Sequence, residues 1–264
     1  LHKGVEKSVG VRMIEVRNLS QTFQTAKGPL QVLTDVNLDI PRGDFVAVIG
    51  RSGAGKSTFL RTLNGLLIPT AGRVVVNGTD ITRLSKRELQ KYRRTVGFIF
   101  QQFNLVNRLS ALDNVLHGRL GYLSAWRGLL GLYTEVDYRI AREQLQRVDL
   151  AAKESARVDS LSGGQQQRVA IARAMAQQPT LMLADEPAAN LDPVLSEEVM
   201  RTLKRFNEQD GVTVVINIHA LDLALKYAKR IVAFKRGRVV FDGAPEQLSQ
   251  DLVDDLYERK EMLV

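Results

Sequence analysis

Five apolar residues, Phe45 to Ile49, run straight into the loop Gly50-Arg51-Ser52-Gly53-Ala54-Gly55-Lys56-Ser57 and on into "KSTFLRTLNGLL", whose apolar spacing is helical. A strand, a glycine-rich loop and a helix in immediate succession start an α/β unit. Similar alternation returns later. A helix is expected from about Gly163 to Ala176, then the strand "TLMLAD", a helix after Pro193, the strand "VTVVIN", a helix near 220–227 and the strand "RIVAFKR". Before and around the first unit, "MIEVRNLSQTF", "LQVLTDVNLDI" and "RVVVNG" alternate in the manner of a small antiparallel sheet. Between the two halves, "SALDNVLHGRL" and "VDYRIAREQLQRV" read as helices. The expectation is an α/β chain: a parallel-sheet core (13–101 and 163–245) with an antiparallel β subdomain, a helical insertion (102–162) and a helical tail (246–264).

Composition narrows the classes. With 264 residues, 44% hydrophobic and 25% charged, the chain can bury a substantial core. It has no run of about 18 apolar residues, the length a helix needs to cross a bilayer. The opening "LHKGVEKSVGVRM" is charged and lacks the apolar segment of a secretory signal, so residues 1 to about 12 are expected to form a flexible leader, with Met13 as the natural start. The absence of cysteine excludes disulfides and thiolate metal sites. Charges sum to 37 − 29 = +8, which suits nucleic acid, an anionic membrane, a phosphorylated ligand or simply a solvated basic face. No basic block interleaved with aromatics marks a nucleic-acid channel.

Gly50 to Ser57 fits G-x-x-x-x-G-K-[ST], in which bare backbone N–H groups wrap phosphates at a helix N-terminus. In that pattern Lys56 reaches the β- and γ-phosphates and Ser57 ligates Mg²⁺. "TLMLADEP" ends an apolar strand in two carboxylates at a sheet edge where α/β ligands bind. Successive strand residues point oppositely, so Asp185 can serve a metal while Glu186 faces the γ-phosphate and polarises water. A third stretch, "LSGGQQQRVA", spends two glycines and three glutamines where a helix begins. Neither a core nor a simple cap accounts for that choice.

Taken together, Gly50 to Ser57, Leu161 to Ala170 and Thr180 to Asp192 resemble the ATP-binding cassette family, over Met13 to about residue 245. The resemblance implies a P-loop NTPase core that hydrolyses ATP with Mg²⁺. It implies that Ser162, Gly163, Gly164 and Gln165 cap the γ-phosphate of a second copy's site. Gly50, Arg51, Ser52, Gly53, Ala54, Gly55, Lys56, Ser57 and Thr58 would hold the nucleotide of their own chain. Gln101 in "GFIFQQFNL" matches the glutamine that senses Mg²⁺ and water. Gln102 competes for that place, and phase relative to the strand favours Gln101. Asp192 resembles the aspartate that communicates between the two sites, although Ala189 and Asn190 stand where serine and alanine are common. His219 matches the histidine that contacts the γ-phosphate, followed here by Ala220 instead of an acid. Phe23 stands where an aromatic ring, usually Tyr, stacks on adenine; a core Phe is the alternative.

Within that family, "NRLSALDNVLHGRLGYLSAWRGLLGLYTEVD" is similar to the ATP-binding subunits of phosphonate and phosphite importers. The likeness implies a homodimer under transmembrane permease subunits, peripheral on the cytoplasmic face of the bacterial inner membrane, served by a periplasmic substrate-binding protein and using no nucleic acid. The segment around Gln101 and the 107–137 insertion are expected to meet the permease, with Phe103, Leu105, Val106 and Leu109 near Arg108 as its anchors. Trp126, Leu129, Leu130 and Leu132 either contact a membrane partner or pack the insertion. A cassette ATPase assisting a soluble phosphonate-degrading complex, or an importer for another substrate, stays open as an alternative.

Overall fold

The computed structural model describes residues 11–189 and 191–257. Residues 1–10, Asn190 and residues 258–264 lie outside the described residues, and with them most of the expected leader and the end of the expected tail. Arg12, assigned to the leader, instead opens the first strand and pairs with Pro41.

Strand β1 (Arg12–Thr25) turns back into β2 (Gly28–Pro41), and β3 (Phe45–Ile49) leads through the glycine loop into α1 (Lys56–Leu63). Then come β4 (Ala71–Val76), β5 (Thr79–Asp80), α2 (Lys86–Arg93) and β6 (Val96–Ile99). Strands β2-β1-β4-β5 form the antiparallel sheet that the alternating runs imply.

The insertion holds α3 (Ala111–Leu116), a 3₁₀ stretch His117–Tyr122, α4 (Ala125–Leu129) and α5 (Glu135–Arg147), and leads into α6 (Gly163–Met175). The chain closes with β7 (Leu181–Asp185), α7 (Pro193–Asp210), β8 (Thr213–Asn217), α8 (Leu221–Tyr227), β9 (Arg230–Lys235), β10 (Arg238–Gly243) and α9 (Gln250–Tyr257).

The second sheet runs β10-β9-β3-β8-β7-β6, parallel except where β10 pairs back on β9. All five residues of β3, β7 and β8 are buried, as parallel strands covered on both faces must be. Side-chain alternation splits β3 between two cores. Phe45, Ala47 and Ile49 join the helices of the insertion and of the C-terminal half. Val46 and Val48 join α1 and the antiparallel sheet, where Phe59 meets Phe234 at 5.2 Å between ring centroids.

Helix α6 packs on α3 and α5 as well as on the sheet through β6, so the insertion is continuous with the core at Gly163, where the sequence suggests a boundary. A buried ion pair inside the insertion is tied to the end of α6 through its arginine. Arg119 donates to Asp137 at 2.9 Å and to the Ala176 carbonyl, at the end of α6, at 3.0 Å, while its guanidinium covers the Tyr122 ring. Burial pushes the Asp137 carboxyl up, but the hydrogen bonds from Thr134 and Arg119 outweigh it and hold the group below its ordinary value. A depressed carboxylate stabilises at neutral pH and loses that contribution only in acid.

Arg119→Ala would strand the Asp137 charge, so urea denaturation at pH 7 should show a loss of about 3–5 kcal/mol. Pairing Arg119→Met with Asp137→Leu should recover much of it. Equal losses in the two variants would contradict this account of the pair.

Candidate active site

The C-terminal ends of β3, β8, β7 and β6 lie side by side in the parallel sheet. Register sets Asp185 opposite Asn217, and Asn217 opposite Val48, two residues before the glycine loop. The loop turns sharply at Gly50, whose φ is +138°; a Cβ there would stand 2.2 Å from the Phe234 carbonyl oxygen. No side chain fits that approach. Gly55, also left-handed, opens α1.

Lys56 is buried, with its Nζ donating to the carbonyls of Gly50 at 2.7 Å and Arg51 at 2.9 Å. Burial lowers its pKa, while the charges of Glu186 and Asp185 act the other way. An ammonium held by carbonyl dipoles in a half-dry loop favours an anion, and the free amides at the start of α1 favour the same charge. Arg51, Ser52 and Gly53 are exposed, Ala54 is buried, and Thr58 sits half-buried in the first turn of α1.

Asp185 is the hub of the next layer. Its Oδ1 accepts from Ser57 Oγ at 2.8 Å and from Asn217 Nδ2 at 2.7 Å, and Arg61 stands 3.9 Å from its Oδ2. Asn217 also reaches Ser57 Oγ at 3.3 Å, and its own Oδ1 is buried without a hydrogen bond among the described residues. Asn217 escapes the sequence reading, although it ends an apolar strand in a polar residue just as Asp185 does. The oxygens of Ser57 and Asp185 are hard donors of the kind Mg²⁺ takes, one or two protein groups at a time beside phosphate and water. No group of three or more His, Cys, Asp or Glu that could cage a metal occurs among the described residues.

Glu186 leaves the strand with φ +53°, a left-handed conformation unusual for a residue with a side chain. The turn aims its carboxylate away from Asp185. Oε2 accepts from Gln101 Nε2 at 2.8 Å and Oε1 meets His219 Nε2 at 2.7 Å. The three residues come from the ends of β6, β7 and β8, and the structure brings Gln101, not Gln102, to this cluster. Glu186 and His219 also line a small cavity of about 130 Å³ with Ala188, Ala189, Ile218 and Ala220.

The remaining positions lie apart from the cluster. Ser162 caps α6: its Oγ accepts from the Gln165 N–H at 3.3 Å, and Gln165 Oε1 accepts from the Ser162 N–H at 3.1 Å. Part of "LSGGQ" is therefore spent on a capping box, contrary to the expectation that no simple cap accounts for it. Gly164 is spent on packing, since a Cβ there would lie 2.7 Å from Leu195. Ser162 and Gly163 are nonetheless exposed, and a Cβ at Gly163 would make only an ordinary contact with Leu191 at 3.7 Å. Asp192 caps α7 through Leu195 N–H at 3.0 Å, with Pro193 next. Phe23 is half-buried on β1 opposite Leu30 and belongs to neither core. Its partner strand passes the loop, where the Val32 carbonyl would lie 2.8 Å from a Cβ at Gly55.

A family model described as ABC transporter matches residues 33–189. A phosphonates import ATP-binding protein of Halalkalibacterium halodurans is 47% identical over 94% of this chain and 95% of its own length. Its counterpart from Bradyrhizobium diazoefficiens is 50% identical over 93% and 90%. Among solved structures, a dimeric ATP-binding cassette, MJ0796, in a post-hydrolysis state bound to ADP and Pi superposes with a TM-score of 0.78 at 37% identity, covering 89% of this chain and all of that one.

Proposed function

Because this chain belongs to the ABC transporter family, we propose that it is the ATP-hydrolysing subunit of a bacterial importer for phosphonate or phosphite. The observation that carries the chemistry is the Glu186 carboxylate, held between Gln101 and His219 at the edge where the phosphate loop opens. Relatives that are phosphonate import proteins over nearly the whole chain support the substrate class.

Gly50 to Thr58 binds the triphosphate through loop amides and Lys56, and Phe23 offers a ring to the adenine. Ser57 and Asp185, with Gln101 nearby, would hold Mg²⁺, which supplies charge neutralisation between the phosphates. Glu186 accepts a proton from the attacking water, and Gln101 and His219 fix the carboxylate so that it meets the water in one orientation. His219, at the same edge, would be the residue to contact a γ-phosphate oxygen.

Two copies would face each other, as in the dimeric cassette, so that the exposed Ser162 and Gly163 and the α6 N-terminus of one meet the nucleotide of the other. Asp192, at the start of α7, would link the two sites. Closure of the pair would drive the permease and hydrolysis would reset it. Phe103, Leu105 and Val106, directly after Gln101, offer the permease an apolar anchor. Arg173 of α6 donates to the Phe103 and Asn104 carbonyls and ties that segment to the signature helix. Among the described residues no helix is long and apolar enough to cross a membrane.

Co-expression with a phosphonate-importer permease and its binding protein tests this reading. The subunit should co-purify stoichiometrically with the permease from detergent-solubilised membranes. Its ATPase should rise when the binding protein is loaded with methylphosphonate or phosphite. Isolation in a soluble multi-enzyme assembly without a permease would favour the phosphonate-degrading alternative instead.

A further inference from the structure

Helix α4 carries Trp126 and Leu129, and Leu130 caps its C-terminus, so the three fall at i, i+3 and i+4 on one side of the turn. That face is turned outward: Trp126 is 61% exposed, Leu129 87% and Leu130 65%. Leu120, Tyr122 and Leu132 extend the patch, and each is at least 40% exposed. The expectation that these residues pack the insertion is thereby set aside, because α4 buries none of its residues.

The surface beside the patch is basic. The Tyr122 hydroxyl donates to the Arg94 carbonyl at 3.2 Å, and the Arg94 side chain lies against Gly121, 3.0 Å from where its Cβ would stand. From Arg94 the spacing leads back along α2 to Lys91 and Arg87, one stripe at i, i+4 and i+7, and both of those side chains are exposed. None of Arg87, Lys91, Arg94 and Arg127 forms a salt bridge among the described residues. Glu88, the acid on α2, is engaged in its helix cap.

A Trp and several Leu bordered by exposed Arg and Lys match the chemistry of an anionic bilayer surface, which takes apolar rings at headgroup depth and attracts cations above it. The one acid of α2, Glu88, closes the helix cap and acts on Lys91, so the stripe stays net cationic, the charge that an anionic headgroup layer attracts. We propose that α4 and the α2 stripe form a lipid-contact surface through which this subunit touches anionic phospholipid directly, in addition to any permease contact. The surface needs neither nucleotide nor permease, so it stands or falls separately from the importer reading.

Trp126 is the single tryptophan of the chain and reports on its own patch. Adding vesicles of phosphatidylcholine with phosphatidylglycerol to the purified subunit should shift its emission to the blue and expose it to quenching by brominated lipid. Pure phosphatidylcholine should do so weakly. Leu129→Glu with Leu130→Glu should abolish the shift while basal ATPase is retained. Arg87→Glu or Lys91→Glu should each weaken vesicle binding by at least about fivefold, an effect that rising salt removes. Emission that ignores anionic vesicles would overturn the proposal. So would a shift that appears only in permease-bearing membranes whatever the lipid charge, or only on self-association of the subunit, since a protein would then cover the face.

Discussion

Glu186→Gln should lower ATP turnover by about 10²- to 10⁴-fold, the contribution a positioned general base makes to proton transfer. The amide keeps the length of the side chain and can still accept a hydrogen bond, but it cannot take up a proton. Nucleotide affinity should be nearly unchanged, because the hydrogen bonds of Lys56 to the loop carbonyls and of Ser57 and Asn217 to Asp185 do not involve the Glu186 side chain. With hydrolysis blocked, gel filtration in ATP should show a dimer that the wild type forms only transiently. Near wild-type turnover in this variant would remove Glu186 from the role of base. The left-handed backbone at Glu186 is common to both side chains, so folding strain does not confuse the comparison.

The chemistry of this chain was legible where it resides in contiguous runs. The glycine loop, the strand ending in Asp185-Glu186 and the "LSGGQ" stretch are each a local pattern, and the parallel core follows from apolar strands alternating with helices. Antiparallel pairing of β1, β2 and β4 was legible too, because period-two alternation is a short-range signal. Contacts made across the fold were not. Asn217 joins Asp185 from 32 residues away, and Arg173 holds the Phe103 carbonyl from 70 residues away. No spacing rule links such pairs. Nothing beside Arg119 in sequence accounts for it, and its reason is a buried partner, Asp137, together with the end of α6. The capping box at Ser162 could have been read from Ser followed three residues later by Gln. Outward-facing leucines on α4 were ambiguous in sequence because exposed and buried apolar faces share the same spacing.

Gly164→Asp is the second large effect. The new side chain would meet Leu195 and place a carboxylate next to the α6 N-terminus, where a γ-phosphate from a second copy is expected. Like charges a few ångströms apart in a closed interface cost several kcal/mol, enough to prevent closure. Hydrolysis should fall to near background, while nucleotide binding by the isolated chain, which rests on its own loop and Lys56, should persist. Equal loss of both would mean that Gly164 acts within its own chain or that the fold has failed; retained cooperative unfolding separates the two.

The central claim is that each active site is built from the loop of one copy and the signature of another, and mixed dimers test it most directly. With Lys56→Ala in one copy and Gly164→Asp in the other, a composite arrangement puts both lesions in one site and leaves the second site chemically complete. With both lesions in one copy and a wild-type partner, each site carries one lesion. Single-turnover hydrolysis in purified mixed dimers should therefore be measurable for the split arrangement and near background for the combined one. The reverse order, with activity in the combined arrangement and none in the split one, would show that each chain completes its own site.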